Sequence, residues 1–258
     1  MTIIVGIICK DNIVVGSDGQ TSATTSQTAK RLDADKIAVV TLQDGTPALV
    51  AESGSSVITG RLIELMREDA KATKATDYRA PADCAERAVR KLKAELLIPL
   101  LPADRTAEEL QDIYNSYAAA LLIAYYHNKT EPFLFSIDFS VGIACREYKY
   151  ALLGCGYNVA ELLAGWFDFS EMVFAQAVVT VAFMIGEVKK VDAFCGGPTN
   201  VKCIKSETGT IRGGLSPDKL KVLENEVETG SQRYKTEWAP HARKMIEEIV
   251  KRWYANPD

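Results

Sequence analysis

Histidine and closely spaced cysteines are scarce in this 258-residue sequence. Only two histidines are present, so a histidine-rich metal site is not expected. The six cysteines are scattered along the chain: Cys9, Cys84, Cys145, Cys155, Cys195 and Cys203. They form no C-x-x-C pair and no short cysteine–histidine group of the zinc-site type. We therefore predict no metal and no organic cofactor, and expect most thiols to be reduced, small and buried.

An excess of positive charge and a long apolar run are also missing. Thirty basic against thirty-four acidic residues give a net charge of −4, which provides no electrostatic reason to expect nucleic acid or an anionic membrane as partner. The longest nearly uncharged stretch, 172–186, is shorter than the ~20 residues of a membrane-spanning helix. No basic region precedes the apolar run at 3–8, so a secretory signal is not predicted and we expect a cytoplasmic protein.

Apolar residues make up 47% of the chain, enough for a substantial core. Runs rich in β-branched residues predict strands at 2–9, 13–18, 36–42, 47–50, 118–126, 133–137, 148–153 and 200–204. Helical periodicity predicts helices that begin near 55 and near Pro81, and helices over 158–164 and 170–188. The segment 19–28 is polar and is predicted as a loop.

Blocks of strands followed by pairs of helices occur twice, which favours a layered α+β fold over an alternating parallel sheet. Two stacked, mainly antiparallel sheets, each covered by a helix pair, would bury every amphipathic face. This predicts a four-layer α-β-β-α sandwich. We assign 1–209 to this domain and 210–258 to a helical extension packed on it, with Met245, Ile249 and Trp253 on one helix face.

Thr2 is the most informative position for chemistry. If an aminopeptidase removes Met1, as a small second residue usually permits, Thr2 carries both a hydroxyl and a free α-amine. The α-amine has an ordinary pKa of about 7.7–8.0 and can act as a general base toward the adjacent hydroxyl. The alternative is that Thr2 simply begins a strand.

The segments Thr2-Ile3-Ile4-Val5-Gly6 and Gly16-Ser17-Asp18-Gly19-Gln20 resemble the opening of proteasome β-subunits and of the bacterial HslV peptidase, which are threonine proteases of the N-terminal-nucleophile superfamily. The resemblance implies that Asp18 holds the ammonium of Lys36, which favours the anionic hydroxyl and the neutral amine of Thr2. The Asp18–Lys36 interval is two residues longer than usual, so Lys30 is an alternative. Otherwise the two residues would be a surface ion pair, which contributes little stability.

The resemblance also assigns an oxyanion donor and a substrate pocket. Gly54, in the small-residue turn before the first helix, would present its backbone N–H to the developing oxyanion. Glu52 would line the pocket for the residue before the cut bond and favour Lys or Arg there. Ser22 and Ser56 are assigned to the same pocket. The alternatives are an ordinary strand-to-helix turn and an exposed glutamate.

Two later turns resemble motifs of the same family. Gly154-Cys155-Gly156 resembles a glycine-serine-glycine turn, and Asp192-Ala193-Phe194-Cys195-Gly196-Gly197 resembles an aspartate-x-x-serine-glycine-glycine motif. In the family these serines and the aspartate orient the terminal amine. Cys155 and Cys195 replace both serines here, and a thiol is a weaker donor than a hydroxyl. Two small buried residues beside tight turns remain the alternative.

The resemblance implies a threonine endopeptidase that assembles into a homo-oligomeric ring or helical stack and acts on peptides or unfolded proteins, with an ATPase or another regulator as a candidate partner. The cysteines at the two serine positions support a second hypothesis, a non-catalytic ring subunit of the same fold. A third hypothesis is an amidohydrolase of the same superfamily that acts on a small amide.

Overall fold

A computed structural model describes residues 2–21, 32–96, 117–206 and 208–212, and the single positions 106, 109, 221, 222, 225 and 229. The predicted C-terminal helix with Met245, Ile249 and Trp253 lies outside these residues. The strands are β1 (Ile3–Ile8), β2 (Asn12–Asp18), β3 (Gln20–Thr21), β4 (Leu32–Asp33), β5 (Ile37–Thr41), β6 (Pro47–Gly54), β7 (Ala119–His127), β8 (Glu131–Asp138), β9 (Ala144–Glu147), β10 (Tyr150–Gly154), β11 (Thr199–Lys205) and β12 (Ile211–Arg212). The α-helices are α1 (Ser56–Ala70), α2 (Ala80–Leu96), α3 (Tyr157–Ala164) and α4 (Phe174–Val191).

The strands form two five-stranded sheets and one short ribbon. The first sheet has the order β10-β1-β2-β11-β12, the second has the order β5-β6-β7-β8-β9, and β3 pairs with β4. Neighbouring strands in both sheets are antiparallel. β1 therefore lies inside the first sheet, with β10 on one side and β2 on the other, and the segment that starts with Thr2 is held along both edges.

Three apolar layers hold the sandwich together. α1 and α2 cover the second sheet, where Leu62 and Val89 pack with Ile123. α3 and α4 cover the first sheet, and the third apolar layer lies between the two sheets. Successive side chains of β1 point to opposite faces of the first sheet, which lets one strand contribute to two layers. Ile3 and Val5 face the helices, whereas Ile4 faces the other sheet. The predicted four-layer α-β-β-α sandwich is confirmed.

The structure also differs locally from the sequence prediction. β9 was not predicted, because it is a sheet edge with Ala144 buried and Cys145 exposed and so has little apolar pattern. β3 lies in the segment predicted as a loop. The predicted helix at 170 begins later: Phe169–Glu171 is a 3-10 helix, and α4 starts at Phe174.

Ser55 is the N-cap residue of α1, but its side chain makes no capping hydrogen bond.

Within the described ranges, no helix combines the length and the apolar character that crossing a membrane requires.

Candidate active site

Thr2 is fixed at the start of β1 by backbone contacts on both sides. Its side chain is buried, with 4% of its surface exposed. Its carbonyl oxygen accepts a hydrogen bond from the backbone N–H of Cys155 at 2.9 Å. The next backbone N–H, that of Ile3, donates to Oδ1 of Asp18 at 3.1 Å. The backbone of Thr2 is therefore fixed by its neighbours, which restricts the positions that its hydroxyl can take.

Lys36 connects Thr2 to Asp18. Its Nζ donates to Oγ1 of Thr2 at 2.5 Å and lies 2.8 Å from Oδ1 of Asp18. Lys36 and Asp18 are 4% and 0% exposed, so the pair is not the surface ion pair of the alternative interpretation. Lys36 directly precedes β5 in the second sheet, and Asp18 ends β2 in the first. The ion pair therefore joins the two sheets beside Thr2.

The carboxylate of Asp18 is stabilised by backbone donors from three parts of the chain. In addition to Ile3, the N–H groups of Gln20 and Gly196 donate to Oδ2 at 3.3 and 3.0 Å. A buried charge is costly unless it is paired and hydrogen-bonded, and both conditions are met here. The arrangement keeps an ammonium against the Thr2 hydroxyl, and all three side chains are buried.

Two glycines with positive φ allow the backbone to approach closely at this site. Gly154 has φ +104°, and a Cβ there would lie 1.8 Å from the carbonyl oxygen of Thr2. Gly54 has φ +100°, and a Cβ there would lie 2.2 Å from the carbonyl oxygen of Ala118. Only glycine satisfies both requirements, a left-handed backbone and no side chain. The oxyanion role of the Gly54 N–H stays a prediction.

We expect Gly154→Ala to lower the free energy of unfolding by about 3 kcal/mol, because the left-handed backbone and the contact with Thr2 both oppose a Cβ. Gly45→Ala is the matched control: Gly45 also has positive φ, but no atom lies within 4 Å of the position that its Cβ would take. The control should cost only about 1–2 kcal/mol. Equal losses in denaturant unfolding would show that the backbone contact with Thr2 is unimportant.

Cys155, Cys195 and Asp192 form a second group beside Thr2. The two Sγ atoms are 3.5 Å apart, and the thiol of Cys155 also lies 3.5 Å from the carbonyl oxygen of Thr2. One ligand atom from each of the three residues lies within 4.8 Å of the others. Burial raises the pKa of both thiols, and the carboxylate of Asp192 adds to the effect, so both cysteines remain protonated at neutral pH.

The residues predicted for the substrate pocket are only partly described. Glu52 is half-buried on β6, and its Oε2 has no hydrogen-bond partner among the described residues. Burial raises the pKa of the Glu52 carboxyl, although the hydroxyl of Thr59 and the ammonium of Lys36 act in the opposite direction. Ser56 is the exposed first residue of α1. Ser22 and the alternative lysine, Lys30, lie outside the described residues.

Sequence reasoning missed the groups that hold Asp18. Backbone N–H donors have no residue-type signature, so Gly196 was noted only as part of its motif. Gln20 was also missed: it is buried, and its side-chain amide donates to the carbonyl oxygen of Ala193 at 3.5 Å. This bond ties the start of β3 to the turn that carries Asp192 and Cys195.

Two helix-covered antiparallel sheets stacked in four layers are the fold of N-terminal-nucleophile hydrolases and proteasome subunits. A family profile described as "Proteasome subunit" matches residues 2–204, so the chain belongs to the proteasome subunit family. The recognition made from the sequence motifs is confirmed. A search of curated proteins found no match.

Solved structures of Anbu proteins are similar to this chain. The Anbu (Gly-1) mutant from Hyphomicrobium sp. strain MC1 has 12% sequence identity and a TM-score of 0.71, over 92% of this chain and 97% of that one. Anbu (ancestral beta-subunit) from Yersinia bercovieri has 11% identity and a TM-score of 0.70, over 91% and 97%. The helical assembly of the Anbu complex from Pseudomonas aeruginosa has 12% identity and a TM-score of 0.69, over 95% and 96%. At these identities the likeness shows the fold.

Proposed function

We propose that this chain is a threonine-type endopeptidase of the cytoplasm, in which Thr2 is the nucleophile after Met1 has been removed. The observation that carries the proposal is the buried ammonium of Lys36, which contacts the Thr2 hydroxyl at 2.5 Å and the Asp18 carboxylate at 2.8 Å. A positive charge at that position favours the alkoxide that attacks a carbonyl. Membership of the proteasome subunit family supports the same function.

The reaction proceeds in two steps. Oγ1 of Thr2 attacks the peptide carbonyl carbon while the α-amine of Thr2 accepts the hydroxyl proton, and the backbone N–H of Gly54 stabilises the oxyanion. The protonated α-amine of Thr2 then gives its proton to the leaving amine as the C–N bond breaks, which leaves an ester on Thr2. In the second step a water molecule, deprotonated by the same amine, attacks the ester, and Thr2 is released unchanged.

Lys36 and Asp18 act as a fixed electrostatic unit in this scheme. Lys36 contacts the reacting oxygen, Oγ1 of Thr2. Asp18 positions Lys36 through the ion pair between the two side chains. Because the pair is buried, its field on Oγ1 is weakly screened by solvent. Asp192, Cys155 and Cys195 are proposed to position the α-amine, with the thiols as weaker donors than hydroxyls.

The proposal requires a free α-amine, which intact-mass measurement tests directly. We expect the purified protein to be lighter than its encoded chain by one methionine and to hydrolyse fluorogenic peptides. Treatment with a methionine aminopeptidase before the assay is the control for incomplete processing. A processed protein that cleaves no peptide from a broad library would contradict the proposal.

A non-catalytic subunit is the second candidate, and the paired thiols favour it. The Sγ atoms of Cys155 and Cys195 lie 3.5 Å apart, so each thiol has the other as its partner. The family resemblance expects serine hydroxyls near the α-amine at these two positions. Uniform retention of Met1, which would acylate the α-amine, together with absent hydrolysis would support this candidate over the peptidase.

We further propose that the chain forms a homo-oligomer. The P. aeruginosa Anbu complex is described as a helical assembly, and the single chain exposes large apolar side chains, among them Val57, Tyr148 and Leu162. Burying such side chains between subunits would remove apolar surface from water, which favours association. Light scattering should give a mass of several chains, and Leu162→Glu should lower that mass. A monomer at micromolar concentration would contradict this proposal.

Glu52 is proposed to select a basic residue before the cut bond. We expect kcat/KM for reporters with Lys or Arg there to exceed that for Leu reporters, and Glu52→Gln to reduce this ratio about tenfold. The preference needs the ionised carboxylate, and burial raises the pKa of Glu52. The preference should therefore weaken as pH falls, beginning at a higher pH than for an ordinary glutamate. A ratio that is unchanged in Glu52→Gln would remove this assignment.

A further inference from the structure

We propose that Cys155, Cys195 and Asp192 form a binding site for a thiophilic divalent cation, best represented by Zn²⁺. Their ligand atoms lie within 4.8 Å of one another, and the two Sγ atoms are 3.5 Å apart. Two thiolates on one tetrahedral zinc, at Zn–S of about 2.3 Å, are separated by about 3.8 Å. A shift of a few tenths of an ångström converts the existing thiol pair into two zinc ligands.

Each ligand is held by the backbone of a tight turn. The N–H of Cys155 donates to Thr2, and Gly154, the preceding residue, has positive φ. On the other turn, the N–H of Cys195 donates to the carbonyl oxygen of Asp192 at 3.1 Å, and the N–H of Phe194 donates to Oδ1 of Asp192 at 2.8 Å. Both turns are anchored to the sandwich, so little ordering is needed when a metal binds.

The donor set determines the class of cation. Two sulfur ligands and one carboxylate oxygen suit zinc and similar thiophilic ions, whereas Mg²⁺ and Ca²⁺ require oxygen ligands. Binding replaces the two S–H protons with S–metal bonds, and both protons are released to solvent. Three protein ligands leave a fourth tetrahedral position open. Cys155 is exposed, which gives an ion a route to the site.

The site is adjacent to Thr2, which gives the metal a regulatory effect. Because Sγ of Cys155 lies 3.5 Å from the Thr2 carbonyl oxygen, a bound zinc lies within about 6 Å of that oxygen. The proposed function assigns Cys155, Cys195 and Asp192 to positioning the α-amine, and a bound metal takes these side chains away from the amine. Zinc is therefore expected to inhibit hydrolysis. This regulatory part rests on the proposed peptidase function, whereas metal binding itself does not.

The experiment uses the full chain, freed of metal and kept reduced with a phosphine reductant so that a disulfide between the two cysteines cannot form. Co²⁺ is titrated, and the thiolate-to-cobalt charge-transfer absorption is followed; Zn²⁺ is then added to displace it. The variants are Cys155→Ser, Cys195→Ser and Asp192→Asn. Cys145→Ser, which removes the exposed thiol on β9, is the matched control. Thermal unfolding verifies that each variant is folded.

We expect one equivalent of metal per chain in the native protein and in Cys145→Ser. Cys155→Ser and Cys195→Ser should each weaken zinc binding by more than about 100-fold, because losing even an outer-shell partner costs 10–100-fold. Asp192→Asn retains both thiols and should keep the charge-transfer band with lower affinity. No thiolate band in the native protein, or equal zinc affinity in the serine variants, would overturn the site.

Peptide hydrolysis, measured on the same samples, separates this inference from the proposed function. If both hold, zinc inhibits the native enzyme, a chelator reverses the inhibition, and the serine variants resist it. If the metal-free protein is inactive but the thiolate band forms, the metal site stands and the peptidase proposal fails. If hydrolysis is present and zinc binds without affecting it, the regulatory part is wrong.

Discussion

Lys36→Met is expected to lower kcat/KM for peptide hydrolysis by about 10²–10³-fold, the loss that typically follows removal of one preorganised group that stabilises developing charge. The substitution keeps the aliphatic length of the side chain but removes the ammonium that contacts Oγ1 of Thr2. It also leaves Asp18 as a buried carboxylate without its counter-ion. Breaking a buried pair in this way should cost about 3 kcal/mol of unfolding free energy.

The chain offers a matched control for this prediction. Lys10 also forms an ion pair, with Nζ 2.8 Å from Oε2 of Glu171, but the two side chains are 52% and 72% exposed. Lys10→Met should therefore change stability by no more than about 1 kcal/mol and leave hydrolysis intact. A double variant, Asp18→Asn with Lys36→Met, should recover part of the stability but none of the activity. Native hydrolysis by Lys36→Met would contradict the electrostatic role.

Thr2→Ala is expected to reduce hydrolysis to background, a loss of at least about 10⁴-fold, since the nucleophile itself is removed. Stability should fall by only about 1 kcal/mol, because the hydroxyl contributes one hydrogen bond with Lys36. Thr2→Ser keeps the hydroxyl and the amine and should remain active. Alanine and serine are small enough to permit removal of Met1, and intact mass must verify this in each variant. Equal activities of Thr2→Ala and the native protein would assign hydrolysis to another residue or a contaminant.

The layered fold was predictable because its elements have strong periodicity. β1 and β2 are continuous β-branched runs, and α1 and α2 have clear apolar stripes, so their order alone indicated two helix-covered sheets. Edge elements were less predictable. Among the described strands, β9 pairs with β8 alone, and it carries exposed Cys145 and Arg146, so it lacks the apolar pattern by which a buried strand is recognised.

The candidate site was predictable only in part, and mainly from the family resemblance. Thr2, Asp18 and Lys36 were named from the resemblance, although the Asp18–Lys36 interval is two residues longer than usual, and the structure brings their side chains together. The backbone donors of Gln20 and Gly196 were not foreseeable, because every non-proline residue carries the same N–H. The mutual contact of Cys155 and Cys195 was also missed, since it depends on two turns forty residues apart meeting beside Thr2.

The most direct test of Thr2 as a nucleophile activated by its own amine is covalent trapping. The native protein, Thr2→Ala and Lys36→Met are treated with a peptide electrophile that needs both a hydroxyl and an α-amine to form its adduct, and the modified residue is located by peptide mass mapping. We predict one adduct per chain, on residue 2 of the native protein, slow labelling of Lys36→Met and none of Thr2→Ala. An unlabelled native protein with a free Thr2 amine, or an adduct at another residue, would contradict the account.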